Sequence, residues 1–151
     1  MNINPNTISV LLDRYFPATS VPQYPPDTKD HWGERNEFYA TFGGKNWKQI
    51  VNEKLNLRWY YDTLEFVPTA DVWLILPAIL YYCVTDDPDV LLDSLVSFLS
   101  RRISDKTSLS FVTNEQFSVI LIVLELLRTE YNDDLLDDLA AMLYSIVASP
   151  T

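Results

Sequence analysis

The chain has 151 residues, 48% of them apolar, and carries 11 Lys and Arg against 21 Asp and Glu. This length is enough to bury an ordinary core without the help of a metal or a disulfide. The net charge of −10 argues against nucleic acid as a ligand, because neutralising a phosphate backbone requires clustered bases.

Cysteine usage and hydropathy indicate a cytoplasmic protein. Cys83 is the only cysteine, which excludes an intramolecular disulfide and a multi-thiolate zinc site. The N-terminal residues lack the basic and apolar regions of a signal peptide. No uninterrupted apolar run, including residues 119–124, approaches the ~20 residues that span a bilayer, so no membrane segment is expected.

The first predicted helix begins at Asn6 or Thr7, either of which can act as its N-cap. It ends at the first proline of the segment that follows. That segment, residues 17–29, contains four prolines and no helical period. We therefore predict an extended, ordered loop there, anchored to the surface by Val21 and Tyr24.

A second helix is predicted from near Asp30 to Gly43 and Gly44, where glycine accepts the left-handed conformation that ends many helices. Asn46 is expected to cap a third helix. Residues 57–64 are predicted to form a further turn or two.

Two helices are predicted in the middle of the chain. Thr69 caps the first, over residues 70–84, and Pro77 removes one of its backbone donors. The second opens at Asp87-Pro88, an N-cap followed by proline at the first helical position.

The last two helices have clear start signals. Residues 113–116 form a capping box, and the nearly uninterrupted apolar stretch 117–127 predicts a helix surrounded by others at the centre of the core. Asn132 caps the final helix, whose predicted buried face comprises Leu135, Leu136, Leu139, Met142, Leu143 and Ile146. Because no stretch alternates regularly, the sequence predicts an all-α, single-domain irregular or orthogonal bundle of about seven to eight helices over residues 1–151.

Five short motifs, taken in order, resemble a known family. They are Val21-Pro22-Gln23-Tyr24-Pro25, Phe42-Gly43-Gly44-Lys45-Asn46-Trp47, Leu64-Glu65-Phe66, Leu76-Pro77-Ala78 and, after a helix, Asp87-Pro88. Over roughly residues 8–127, the chain resembles an uncharacterised bacterial family of small acidic helical proteins, a domain of unknown function. The resemblance implies a bacterial, cytoplasmic setting. Similar small acidic proteins are often encoded beside toxins, which implies the character of an immunity protein. The resemblance supplies no catalytic residue.

Two local patterns have alternative interpretations. His31 and Glu34 have the spacing of metal ligands on one helical face, and also that of polar residues in a first helical turn. His31 is the only histidine, so the rest of a metal site is missing, and neither a metal nor a cofactor is predicted.

Gly43-Gly44-Lys45 before a helix suggests a phosphate cradle, but it lacks the spacing of a P-loop, and the preference of glycine at helix ends accounts for it.

Acidic residues are concentrated in the C-terminal half, where residues 70–151 carry a net charge of −9. Two carboxylate clusters lie at predicted helix starts: Asp86, Asp87, Asp89 and Asp93, and Asp133, Asp134, Asp137 and Asp138. Neither cluster has the ligand spacing of an EF-hand. They form either a solvated, solubilising face or a recognition surface for a basic partner.

Trp59, Tyr60 and Tyr61 form a run of three aromatic residues. Successive helical residues are about 100° apart, so the three rings cannot all point into the core. One or two of them are expected on the outside, either in an interface or as ordinary surface.

The sequence therefore predicts a non-catalytic acidic binding protein. Its most specific form is a bacterial immunity or regulatory protein that occludes a basic protein partner, such as a toxin domain, through the acidic clusters and the exposed aromatic rings. The alternative is a small enzyme or ligand-binding protein with a pocket near His31, Glu34 and Glu37.

Overall fold

Seven helices form the regular structure in the described part of the chain. The computed structural model describes residues 4–29, 33–55, 57, 67–85, 89–103, 112–131 and 134–148. In chain order the helices are α1 (Pro5–Tyr15), α2 (Glu34–Phe42), α3 (Trp47–Asn52), α4 (Thr69–Thr85), α5 (Asp89–Ile103), α6 (Asn114–Glu130) and α7 (Asp134–Ala148). Within these ranges no β-strand occurs beyond one isolated bridge, so the prediction of an all-α bundle is confirmed.

The helix at the centre of the bundle is α4, which contacts α1, α3, α5 and α6. Its residues 75–80 are all apolar and all buried, so the helix is enclosed on every side. Pro77 lies inside α4, as predicted. The sequence predicts the central position for α6, but α6 contacts α1, α4 and α7 and leaves Ile122 45% exposed. The central position therefore belongs chiefly to α4.

The predicted start of α1 is wrong by two or three residues, and that of α4 by one. The N-cap of α1 is Asn4, and not Asn6 or Thr7, because Asn4 Oδ1 accepts a hydrogen bond from the Asn6 N–H at 2.9 Å. The following proline then occupies the first helical position, where its missing N–H costs nothing. α4 begins at Thr69 itself, since the carbonyl of Pro68 accepts the hydrogen bonds that open the helix.

Two other caps are confirmed. The side chains of Asn46 and Thr113 accept hydrogen bonds from the backbone N–H three residues further on, at 3.0 and 3.1 Å. In each case the glutamine at that third position, Gln49 or Gln116, accepts a hydrogen bond from the backbone N–H of the cap. Both α3 and α6 therefore begin with a complete capping box.

Other predicted signals lie outside the described residues. They are the segment 58–64, the pair Asp87-Pro88 and the cap Asn132. The helix predicted from near Asp30 begins only at Glu34, because its N-cap is Gly33, whose left-handed φ of 73° is not helical. Leu57, the described residue of the predicted turn at 57–64, is buried.

The last helix, α7, packs against α5 and α6. Leu136, Leu139 and Leu143 are buried as predicted, but Leu135 is 60% exposed and does not belong to the buried face. The reason is its position on the flank of that face, in line with Met142 and Ile146, which are themselves only partly buried. None of the described helices is long and apolar enough to cross a membrane.

The proline-rich segment 17–29 crosses the turn between α2 and α3. The N–H of buried Val21 donates to the Lys45 carbonyl at 2.9 Å, and its carbonyl accepts from the Gly44 N–H at 2.7 Å. The ring of Tyr24 packs edge-on against Tyr39, with centroids 4.8 Å apart. Both residues predicted to anchor this segment therefore contact the body of the protein.

Candidate functional site

Three carboxylates of the second acidic cluster lie together on the outside of α7. Asp134, Asp137 and Asp138 are all exposed, and they occupy its first two turns. A helix N-terminus stabilises nearby negative charge, which accounts for one or two of them. The fourth predicted member, Asp133, lies outside the described residues.

The first acidic cluster belongs to the neighbouring helix. Asp93 is exposed on α5, and Asp89 is the first residue of that helix. Asp86 and Asp87 lie outside the described residues. Since α5 and α7 are in contact, the described members of both predicted clusters belong to adjacent helices of the bundle.

A cation lies among the carboxylates of α6 and α7. Arg128 donates through Nε to Asp137 Oδ1 and through Nη1 to Glu125 Oε1, both at 2.7 Å. Its hydrogen bonds to these two carboxylates raise the pKa of the Arg128 guanidinium above its ordinary value, with the bond to Asp137 as the largest cause. One of the three exposed aspartates of α7 is therefore already paired within the molecule.

Apolar side chains accompany these charges on the outside of the α6–α7 pair. Tyr144 is 51% exposed and follows Asp137 by seven residues, so the two share one side of α7 two turns apart. Ile122 is 45% exposed and precedes Glu125 by one turn of α6. We refer to this set as the α6–α7 face: Ile122, Glu125, Arg128, Asp134, Asp137, Asp138 and Tyr144.

The sequence did not indicate the aromatic member of this face. The predicted exposed rings, Trp59, Tyr60 and Tyr61, lie outside the described residues. Tyr144 falls just off the apolar stripe of the last helix, so a search for buried positions does not find it. The sequence could have indicated Tyr144 through its spacing from Asp137, because residues seven apart lie on the same side of a helix, two turns from each other.

The carboxylates of the alternative site lie at the start of α2. Glu34 is its first residue and is partly buried, Glu37 is exposed, and His31 lies outside the described residues. Across the described ranges, no group of three or more His, Cys, Asp or Glu side chains is placed to hold a metal ion.

A cavity of about 220 Å³ lies between α1 and α3, away from Glu34 and Glu37. Val10 and Val51 supply its apolar walls, and Lys48 of α3 forms an ion pair with Asp13 of α1 across it. Because these opposite charges neutralise each other, the cavity offers no uncompensated group to a charged ligand.

The glycine turn that superficially resembles a phosphate cradle uses its own amides internally. The N–H of Gly44 donates to the Val21 carbonyl at 2.7 Å, and that of Lys45 donates to the Phe42 carbonyl at 2.9 Å. The Lys45 ammonium forms an ion pair with Glu53. The turn therefore ends α2 and carries no free anion-binding amide at these two positions.

No protein-family model, no curated protein sequence and no solved structure matches the chain. The α6–α7 face is the feature of the described residues on which function is best argued, because it combines a single sign of excess charge with exposed apolar side chains.

Proposed function

We propose that the protein is a non-catalytic acidic binding protein that neutralises or regulates a basic protein partner by covering its functional surface. A bacterial, cytoplasmic immunity protein directed at a toxin domain is the specific form of this proposal. The observation that carries it is the α6–α7 face, where exposed carboxylates and exposed apolar side chains lie on one side of two helices.

The two kinds of side chain have different roles in such a complex. Carboxylates of one sign accelerate encounter with a basic surface and fix its orientation. The ring of Tyr144 supplies apolar contact area with a polar hydroxyl at its end, as aromatic anchors in interfaces do. Exposed carboxylates without an apolar neighbour would be explained by solubility. The nearby ring of Tyr144 favours a role in recognising a partner.

Occlusion requires a surface and no catalytic pocket. The alternative function, a small enzyme or ligand-binding protein, requires a pocket near His31, Glu34 and Glu37. The cavity between α1 and α3 lies elsewhere and contains a neutralised ion pair, so nothing in the described part of the chain favours that alternative.

The proposal is tested with two matched baits for affinity capture from a lysate of the cells that make the protein. One bait is the wild type, and the other carries Asp134→Asn, Asp137→Asn and Asp138→Asn. We expect a basic protein that is enriched by the wild type, depleted with the asparagine bait and bound again when the two purified proteins are mixed. Equal capture by both baits would contradict the proposed surface.

A further inference from the structure

Arg128 occupies the place in the α6–α7 face where the cation of a basic partner would bind. We propose that Arg128 is an internal competitor of the partner, and that an arginine of the partner replaces it between Glu125 and Asp137 when the complex forms. This inference rests on the proposed function, because it names the chemical group that the same surface recognises.

The geometry selects a guanidinium. Arg128 bonds Asp137 through Nε and Glu125 through Nη1, so two donors of one planar group bridge carboxylates on two helices. A lysine ammonium is a compact point charge that lacks this rigid, planar fork. The group that replaces Arg128 is therefore arginine in preference to lysine.

The exchange is feasible because all three side chains remain partly in solvent. Arg128 is 33% exposed, Glu125 is 38% exposed and Asp137 is 52% exposed. Ion pairs at such positions are screened and weak, so an incoming guanidinium can displace the resident one at small cost. Tyr144 lies two turns along α7, where it can contact an apolar residue of the same partner segment.

The test compares Arg128→Gln with a control of equal charge, Arg14→Gln. Arg14 is exposed on α1, and the carbonyl of its neighbour Tyr15 accepts a hydrogen bond from Gln116 at the opposite end of α6. Gln116 and Arg128 are separated by about 18 Å along the helix. That distance exceeds the Debye length of ~8 Å at physiological salt, so the control alters net charge without altering the face.

The probe is a synthetic amphipathic helical peptide as long as α7, with arginines on one side and leucines on the other. A second peptide carries lysine in place of every arginine. Binding is measured by titration calorimetry, and a thermal melt of each variant checks that it folds.

We expect Arg128→Gln to bind the arginine peptide about twofold to fivefold more tightly than Arg14→Gln does, with a smaller gain for the lysine peptide. Arg128→Lys keeps the charge but cannot bridge both carboxylates in the same way, so its affinity should fall between wild type and Arg128→Gln. Equal affinities for Arg128→Gln and Arg14→Gln would overturn the inference and leave the proposed function standing. Binding that is absent, or unchanged by Asp134→Asn and Asp138→Asn, would overturn both.

Discussion

Tyr39 joins α2 to the first turn of α4, because its hydroxyl donates a hydrogen bond to Asp71. The ring is buried, and the guanidinium of Arg35 lies 5.8 Å from its centroid. Burial, followed by the hydrogen bond to Asp71, raises the pKa of Tyr39 well above its ordinary value of about 10. The neutral phenol is therefore the form that the folded protein stabilises.

Replacing Tyr39 by phenylalanine should lower the free energy of unfolding by about 1–2 kcal/mol, because the partly buried carboxylate of Asp71 loses a donor. The folded state retains a proton that the unfolded state releases above about pH 10, so wild-type stability should decline with rising pH there. Tyr39→Phe should show a shallower decline.

Urea denaturation on both sides of that pH measures the effect. The control is Tyr24→Phe, which removes a hydroxyl from the more exposed ring of the same pair. If the free energy of unfolding depended on pH identically in Tyr39→Phe and the wild type, the decline in stability could not be assigned to the Tyr39 phenol.

Cys83 is expected to be chemically inert in the folded protein. It is 2% exposed, and burial raises the pKa of its thiol to about 12. Since the thiolate is the reactive form, a thiol reagent at about pH 8 should modify Cys83 only after denaturation. Mass spectrometry of native and denatured samples checks this expectation, and rapid labelling of the native protein would contradict it.

Individual side chains could be predicted from the sequence where the signal is local. The capping box at residues 113–116 and the N-cap at Asn46 were predicted, and both are present; Asn46 also forms a complete capping box, which was not predicted. The exposed position of Leu135 could not be predicted in this way. Helical periodicity places Leu135 near the buried face, but only the arrangement of α5 and α6 around α7 decides where that face ends.

The turn between α2 and α3 holds the proline-rich segment in place, and it requires glycine at a defined position. Gly44 has a positive φ of 77°, and a Cβ there would lie 2.5 Å from Gln23 Nε2. Gly33 has a similar φ of 73°, but a Cβ added there would meet no atom within 4 Å. The two glycines therefore share a left-handed backbone conformation and differ in the steric contact.

Gly33→Ala should cost about 1–2 kcal/mol of stability from backbone strain alone. Gly44→Ala should cost slightly more, because the added methyl group also displaces the end of the exposed, flexible Gln23 side chain. In the Gly44→Ala background, Gln23→Ala should recover the excess. Thermal or urea denaturation of the four proteins provides the comparison, and equal stability of the two alanine variants would contradict a role for the Gln23 contact.

The positions of most helices along the chain could be predicted from the sequence, but which helix is the most buried could not. Both α4 and α6 contain long apolar stretches, and the sequence favours α6 because only Ser118 and Glu125 are polar within residues 117–127. Tertiary contacts place α4 between four other helices, while α6 retains an exposed stripe that includes Ile122. Periodicity reports which residues are apolar and gives no information on how many neighbours a helix has.

At the scale of the whole molecule, charge and packing are unevenly distributed. Residues 70–151 carry −9 of the net charge of −10. Three exposed aspartates lie on α7, which packs against α5 and α6. By contrast, α3 lies in the less acidic N-terminal half and packs against α4. The acidic surface was predicted from composition and clustering. The pairing of Asp137 with Arg128 was not, because it joins two helices whose relative position the sequence does not specify.

The most direct test of the account is the association rate between the protein and its captured basic partner, measured at increasing salt. The wild type is compared with the variant carrying Asp134→Asn, Asp137→Asn and Asp138→Asn. A control carrying Glu34→Gln, Glu37→Gln and Glu53→Gln undergoes the same change in net charge away from the α6–α7 face. At low salt we predict a rate for the aspartate variant about tenfold below that of the wild type, with a much smaller reduction for the control, and convergence of all three at high salt. Equal rates for the aspartate variant and the control at low salt would contradict the assignment of the α6–α7 face as the partner-binding surface.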